Sequence, residues 1–132
     1  RQHQDTEAVD REAQKIGKVQ DVLLQINVSG ESTKFGACPE DVDGIIEEIS
    51  LYGNINVKGF MTIAPQTGDP ESVRKYFCAL REFRDRLDPA RKAGYSALSM
   101  GMTDDFEVAI EEGSTIVRIG RAIFGQMPQD KE

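Results

Sequence analysis

The sequence predicts an α/β fold in which parallel strands alternate with helices, arranged as half of a TIM-type (β/α)8 barrel. Short apolar runs and helical stripes alternate with a period of about thirty residues. The expected strands are residues 22–28, 55–63, 95–101 and 114–120, and two of them carry polar residues on one face. The alternation predicts the fold class, and the polar faces favour a barrel over an open sheet.

Helical signals fill the intervals between these strands. Helices are expected over residues 6–16, 39–53, 69–89 and 103–113, each with apolar residues at helical spacing. Asp69 and Pro70 have the pattern of a cap followed by proline at the first helical position. Asp104 and Glu107 have the spacing of a capping box. Helices between successive strands imply crossover connections, so the strands are expected to be parallel.

The polar strand residues distinguish a barrel from a doubly wound sheet. Gln25 and Asn27 share one face of the first strand, while Arg118 and Gly120 share one face of the last. A doubly wound sheet is covered by helices on both faces, whereas the interior of a barrel near its C-terminal rim carries polar functional groups. Since a complete barrel of this type has eight strands, four strands predict half of one.

The composition disfavours several classes of partner. The net charge is -7, from 23 acidic and 16 basic residues, so no basic field is expected for nucleic acid or anionic lipid. No apolar run approaches the roughly 20 residues that span a bilayer, and the first residues lack a signal-peptide pattern, which predicts a cytoplasmic protein. Cys38 and Cys78 have no metal-ligand spacing, so no metal site is expected.

Arg118 is the first candidate binding residue because a guanidinium in the middle of an apolar strand needs a partner. A structural ion pair with one of the many carboxylates is one interpretation. Gly120 supports a second interpretation, since it shares the face of Arg118 at the C-terminal end of the strand, where such folds bind ligands. Glycine at that place allows an anion to approach backbone N–H groups.

Residues 98–105 form a second candidate, in which a strand end runs through Ser99 and Gly101 into the start of a helix. The free N–H groups of a helix N-terminus suit a phosphate. A simple turn with a helix cap is the alternative, and Asp104 and Asp105 favour it because carboxylates complement the helix dipole.

Five segments together resemble the pyridoxal-phosphate homeostasis family of the YggS (PROSC) type, which is related in fold to the N-terminal barrel of alanine racemase. The segments are residues 25–29 (QINVS), 31–36 (ESTKFG), 59–63 (GFMTI), 98–106 (LSMGMTDDF), and 113–115 (GST) with 118–125 (RIGRAIFG). The resemblance covers about residues 8–125 and corresponds to the C-terminal half of the barrel. It implies one partial barrel domain over residues 1–132, with residues 126–132 as a tail.

The resemblance implies a pyridoxal 5'-phosphate (PLP) site. Ser99 and the backbone of Gly120 and Arg121 would hold the phosphate, and Arg118 would lie toward the pyridine nitrogen. Asn27 and Met61 would line the barrel mouth, although plain core packing is an equal interpretation of each. Lys34 matches a family lysine, and an exposed loop cation is its alternative.

The sequence departs from the family because the front half of the family pattern, with the lysine that attaches the cofactor covalently, does not occur in it. The expected function is therefore a non-catalytic PLP-binding carrier in PLP homeostasis, with no catalytic residue. The alternatives are a fragment of a racemase-like PLP enzyme and a ligand-free interaction fragment. The open edges of a half-barrel predict self-association or pairing with an N-terminal half.

Overall fold

The computed structural model describes residues 2–30, 35–90 and 92–120, with side chains from residue 5 onward. Its helices and strands are α1 (Gln2–Lys15), β1 (Gln20–Gln25), α2 (Val42–Ile49), β2 (Ile55–Met61), α3 (Arg74–Leu87), β3 (Ala97–Met102), α4 (Phe106–Glu111) and β4 (Ile116–Arg118). The strands form one sheet in the order β1-β2-β3-β4, and every neighbouring pair is parallel. The predicted alternation and strand direction are confirmed.

The boundaries of the elements differ from the predictions by a few residues. β1 ends at Gln25 because the next residue, Ile26, forms only an isolated bridge, to Ala37. Both prolines that were expected to open α-helices instead lie in short 3-10 turns, Pro39–Asp41 and Pro70–Val73, which precede α2 and α3. Tight first turns of this kind are common at helix N-termini.

The capping predictions had different outcomes. Asp69 caps its turn as expected, because its carboxylate accepts a hydrogen bond from the Glu71 N–H at 3.1 Å. The capping box at Asp104 is wrong, since the N-cap of α4 is Asp105. The Asp105 carboxylate accepts from the Met102 N–H at 2.7 Å, so it closes the turn before the helix.

The hydrophobic core lies where the apolar face of the sheet meets the helices. Phe60 from β2, Phe77 and Leu80 from α3, and Leu98 from β3 are completely buried. The ring of Phe60 packs edge-on against that of Phe83, with 5.4 Å between the centroids. The burial of these large side chains contributes about 1.5–3 kcal/mol each. Among the described residues, no helix is long and apolar enough to cross a membrane.

An ion cluster holds α4 against α3. The Glu112 carboxylate accepts from the Arg74 Nη1 at 2.8 Å and from the Arg81 Nη1 at 2.7 Å. Arg74 also pairs with Glu71 and Glu111. The hydrogen bond from Arg74, followed by that from Arg81, lowers the pKa of Glu112. Partial burial of the carboxylate raises the pKa and so opposes this shift. Since α4 follows the loop after β3, this cluster also fixes the position of that loop.

Gly59 allows β2 and β3 to approach closely. It pairs with Ala97, and a Cβ placed on Gly59 would lie 1.8 Å from the Ala97 carbonyl oxygen. No rotation of a side chain relieves this contact, because the backbone fixes the position of the Cβ and the atom that it meets is a backbone carbonyl oxygen. The sheet therefore requires glycine at this position.

We predict that Gly59→Ala lowers the free energy of unfolding by about 3 kcal/mol, because β2 and β3 must separate to admit the methyl group. Urea unfolding followed by circular dichroism measures the change. Gly44→Ala is the matched control, since Gly44 lies inside α2 with nothing within 4 Å of the added Cβ. That control should gain about 0.5–1 kcal/mol from helix propensity. Equal effects of the two substitutions would contradict the close approach.

We also predict that the Glu112 cluster makes stability depend on acid pH. A glutamate whose pKa is lowered in the folded state contributes stability above its unfolded pKa of about 4.3, and this contribution is lost as the pH falls through the folded value. Glu112→Gln should therefore be less stable than the natural chain at pH 7, and the difference should shrink below about pH 4.

Urea unfolding at several pH values tests this expectation, with Glu47→Gln on the exposed face of α2 as the control. The control should not reproduce the pH-dependent difference. A loss of stability in Glu112→Gln that is the same at every pH would show that the carboxylate charge does not matter.

Candidate functional site

One layer of paired residues crosses the sheet on the face opposite the core. Gln25 pairs with Met61, Met61 with Ser99, and Ser99 with Ile116. Residues that pair directly in adjacent strands point to the same face. Leu98 and Met100, the neighbours of Ser99, lie in the core. The layer therefore lies on the inner face of the half-barrel, as the polar strand pattern predicted.

Gly101 shifts the register between β3 and β4 on the C-terminal side of this layer. The pairing changes from Ser99–Ile116 to Met102–Arg118, which leaves one extra residue on β3. Gly101 has a φ of +106°, and a Cβ on it would lie 2.7 Å from the Ala109 Cβ of α4. Glycine tolerates both the positive φ and the close helix. The bulge thereby brings Met102 beside Arg118.

Thr62, the residue after β2, connects the ends of the strands. Its hydroxyl donates to the Ile26 carbonyl at 2.8 Å, and its N–H donates to the Ser99 carbonyl at 3.1 Å. Its own carbonyl accepts from the Arg118 Nη2 at 3.2 Å. The side chain of Arg118 thus extends from β4 across β3 to the end of β2.

Arg118 carries an unsatisfied donor at this point. Its Nε is buried and has no hydrogen-bond partner among the described residues. Burial lowers the pKa of Arg118, while the negative charge of Asp105 opposes the shift. A buried guanidinium N–H without an acceptor costs about 1–3 kcal/mol or more. An acceptor atom from a ligand would remove this cost, so Arg118 has the properties of a binding residue.

A cleft of about 370 Å³ opens beside Arg118 at the C-terminal ends of β3 and β4. Its lining consists of Gln66, Met102, Thr103, Asp104, Arg118 and Gly120. The space around Gly120 is open, since a Cβ added there would meet no described heavy atom within 4 Å. The C-terminal ends of the strands are the place where barrels of this class bind ligands.

The structure brings together only part of the predicted site. Arg118 and Gly120 share the cleft as expected. Ser99 does not line it, because it pairs with Ile116, two residues before Arg118 in β4, and its side chain is 4% exposed. The phosphate role of Ser99 stays a prediction. Arg121 and Lys34 lie outside the described residues.

The two residues expected at the barrel mouth lie at the ends of β1 and β2. The Asn27 side-chain oxygen accepts from the Ser29 hydroxyl at 3.0 Å and from the Gly30 N–H at 3.1 Å, so it stabilises a turn. Met61 is half-buried and belongs to the inner layer between Gln25 and Ser99. Neither residue lines the cleft at Arg118.

Thr103 lies within the predicted segment 98–105, but sequence reasoning did not single it out. It lines the cleft together with Arg118 and Gly120. Its position directly after β3 could have identified it, because strand ends are where ligand groups gather in this architecture. Asp104 lines the same cleft and places a negative charge there. An anion bound in the cleft would experience attraction from Arg118 and repulsion from Asp104.

The described side chains contain no group of three or more His, Cys, Asp or Glu that could hold a metal ion. The cleft offers a cation whose Nε has no acceptor among the described residues, a threonine and an open glycine backbone. These groups can bind an anionic ligand that also presents an acceptor atom. No amine lines the cleft within the described part of the chain.

The comparisons with known proteins agree with this architecture. The sequence model of the family described as "Alanine racemase, N-terminal domain" matches residues 1–128. A "Pyridoxal phosphate homeostasis protein" of Aquifex aeolicus (strain VF5) is 49% identical over 118 residues, which are 89% of this chain and 52% of that protein. The chain therefore spans about half the length of this curated relative.

Solved structures show the same fold. PipY of Synechococcus elongatus PCC7942 without PLP superposes with a TM-score of 0.79 at 29% identity, over 91% of this chain and 56% of that one. The structure of PipY with PLP bound superposes with a TM-score of 0.75 at 28% identity, over 90% and 55% of the two chains. The predicted resemblance is confirmed, and this chain belongs to the alanine racemase N-terminal domain family, together with relatives named pyridoxal phosphate homeostasis proteins.

Proposed function

We propose that this chain binds pyridoxal 5'-phosphate reversibly and acts in PLP homeostasis as a non-catalytic carrier. The observation that carries the proposal is the buried Nε of Arg118, which lies beside an open cleft and has no acceptor within the described part of the chain. PLP has an anionic phosphate at one end and a ring nitrogen that accepts a hydrogen bond at the other. A relative with the same fold has been solved with PLP bound.

The phosphate would be held at the ends of β3 and β4. Thr103 lines the cleft, and the open space at Gly120 allows a phosphate to approach the backbone N–H groups there. We propose that the backbone of Gly120 and Arg121 and the hydroxyl of Thr103 contact the phosphate. Ser99 would support this region from the buried layer below the cleft.

The ring nitrogen would face Arg118. When bound, PLP supplies an electron sink that depends on protonation of this nitrogen. A guanidinium nearby disfavours a second positive charge and so keeps the nitrogen unprotonated. Arg118 would therefore hold the cofactor while weakening its power to activate a substrate, which suits a carrier.

The absence of an amine from the described cleft lining supports a non-covalent mode of binding. Lys58 lies in β2 before Gly59, and it is not part of that lining. Among the described residues, the cleft lining also contains no His or Tyr that could exchange a proton with an amino acid. We propose that the 132-residue chain binds the cofactor without racemase activity.

We predict that the chain binds PLP with a dissociation constant between about millimolar and micromolar, since a few charge-assisted hydrogen bonds must offset the cost of association. Arg118→Ala should weaken binding at least about tenfold, because it removes the buried cation. Thr103→Ala should weaken it less, and Asp104→Asn should tighten it by removing a like charge. Calorimetric titration with PLP measures all four proteins.

Arg86→Ala is the matched control, because Arg86 lies exposed on α3 and does not line the cleft. It should leave PLP affinity unchanged. If Arg86→Ala and Arg118→Ala weaken binding equally, the cofactor is held by surface charge and the proposed site is wrong. Pyridoxal without phosphate should bind more weakly than PLP if the strand ends hold the phosphate.

We further predict that PLP and borohydride give only scattered, substoichiometric labelling of lysines, because no lysine lines the cleft in the part of the chain that the structure describes. Mass spectrometry of the digested protein maps the adducts. A single stoichiometric adduct at Lys34 or Lys58 would overturn non-covalent binding. Measurable racemisation of alanine by the PLP-loaded chain, absent from Arg118→Ala, would overturn the carrier function.

A further inference from the structure

The carboxylate of Asp105 bonds to the strand before α4 and not to the helix itself. Asp105 occupies the N-cap position of α4, but its side chain accepts no hydrogen bond from the N–H groups of that fully described helix. Its Oδ1 accepts instead from the Met102 N–H at 2.7 Å, and its own N–H donates to the Met102 carbonyl at 3.1 Å. Two hydrogen bonds between the same two residues therefore close the turn at residues 102–105.

The turn at residues 102–105 forms one wall of the cleft. Three of its residues belong to the cleft lining: Met102, Thr103 and Asp104. Asp105 is not part of that lining. It lines a separate, small space of about 30 Å³ between this turn and the segment that follows β2. Asp105 therefore supports the wall from outside the cleft.

Met102 connects this turn to Arg118. The two residues pair in β3 and β4, beyond the register shift at Gly101. The hydrogen bond from the Met102 N–H to Asp105 holds the end of β3 at the position where it meets Arg118. The side chain of Arg118 continues to the Thr62 carbonyl, and its Nε is buried with no acceptor among the described residues. A shift of Met102 would therefore move the donor that the ligand is expected to meet.

Asp105 also acts on Arg118 through its charge. Burial lowers the pKa of Arg118, and the negative charge of Asp105 opposes this shift. A nearby carboxylate reduces the cost of burying a guanidinium. The charge and the hydrogen bond to Met102 are separable, since an asparagine in place of Asp105 keeps an acceptor oxygen and removes the charge.

We propose that Asp105 is a positioning residue of the cofactor cleft, which holds Met102, and through it Arg118, in the geometry that binds the ligand. The inference rests on the proposed function, because it concerns the same cleft. Asp105 acts without touching the ligand, and the backbone of Met102 transmits its effect. A plain capping role is the alternative, but it does not explain why the carboxylate bonds to the strand and not to the helix.

Three substitutions of Asp105 separate the hydrogen bond from the charge. Asp105→Ala removes both, so it should weaken PLP binding at least about fivefold. Asp105→Glu keeps the charge but displaces the carboxylate, so it should also weaken binding. Asp105→Asn keeps an acceptor at the same place and should bind PLP no more than about twofold more weakly than the natural chain. Calorimetric titration with PLP measures the dissociation constants, and circular dichroism checks that each variant is folded.

Asp69→Ala is the matched control. The Asp69 carboxylate also accepts from a backbone N–H at a turn before a helix, that of Glu71 at 3.1 Å, but Asp69 does not line the cleft. This substitution should lower stability toward urea, as Asp105→Ala does, and leave PLP affinity unchanged. Equal weakening of PLP binding by both substitutions would indicate a general loss of structure and overturn the positioning role.

A double-mutant cycle shows whether Asp105 acts through Arg118. In the Arg118→Ala background, Asp105→Ala should weaken PLP binding less than about twofold, because the group that Asp105 positions is already absent. An undiminished loss in that background would show that the two residues act independently, which contradicts the proposal.

The outcomes distinguish this inference from the function on which it rests. If the natural chain does not bind PLP, the proposed function is wrong and the positioning role fails with it. If the natural chain binds PLP and Asp105→Ala binds it equally well, only the positioning role is wrong. Equal weakening by Asp105→Asn and Asp105→Ala would also overturn it, because the charge and not the hydrogen bond would then matter. Should Asp105→Ala fail to fold, weaker binding by Asp105→Glu than by Asp105→Asn supports the role, and equal binding overturns it.

Discussion

The hydrogen bonds of Thr62 are the constraint on which the inner face of this half-barrel depends. Thr62 follows β2 and is almost completely buried. Through its hydroxyl, N–H and carbonyl it bonds to Ile26 after β1, Ser99 in β3 and Arg118 in β4. One residue therefore connects all four strands toward their C-terminal ends. Each hydrogen bond contributes only about 1 kcal/mol to stability, but together the bonds fix how the four strands are aligned with one another.

The same constraint creates the chemistry of the cleft. The Thr62 carbonyl accepts from one nitrogen of Arg118 and holds the guanidinium over the neighbouring strands, where its Nε is buried with no acceptor among residues 2–30, 35–90 and 92–120. Burial lowers the pKa of Arg118, and the carboxylate of Asp105 opposes that shift. The guanidinium remains charged because its ordinary pKa is far above neutral. A partly buried cation whose buried Nε has no acceptor among the described residues is a costly arrangement unless a ligand completes it.

The two faces of the sheet differ in how far their side chains are buried. On the helix side, the core around Phe60 is closed, and the Glu112 cluster joins α4 to α3. On the inner side and at both edges, apolar residues such as Ile116 remain 44% exposed. This contrast agrees with a chain that spans about half the length of the curated relatives it matches. The helix side of the sheet is therefore closed by its own side chains, while the inner side and the edges leave apolar surface exposed.

Local sequence patterns determined the order of the elements, the parallel strands, the cap at Asp69, and the position of Arg118 and Gly120 at a strand end. These features follow from residue spacing, since side chains alternate along a strand and repeat along a helix with known periods. The tertiary structure decided that Thr103 and not Ser99 lines the cleft, because Ser99 pairs with Ile116, two residues before Arg118 in β4. It also decided that Asp105 occupies the N-cap position of α4, where its carboxylate bonds to Met102, and that Thr62 joins the four strands. Such contacts link residues distant in the chain, or depend on how neighbouring strands are aligned, and neither property has a local period in the sequence.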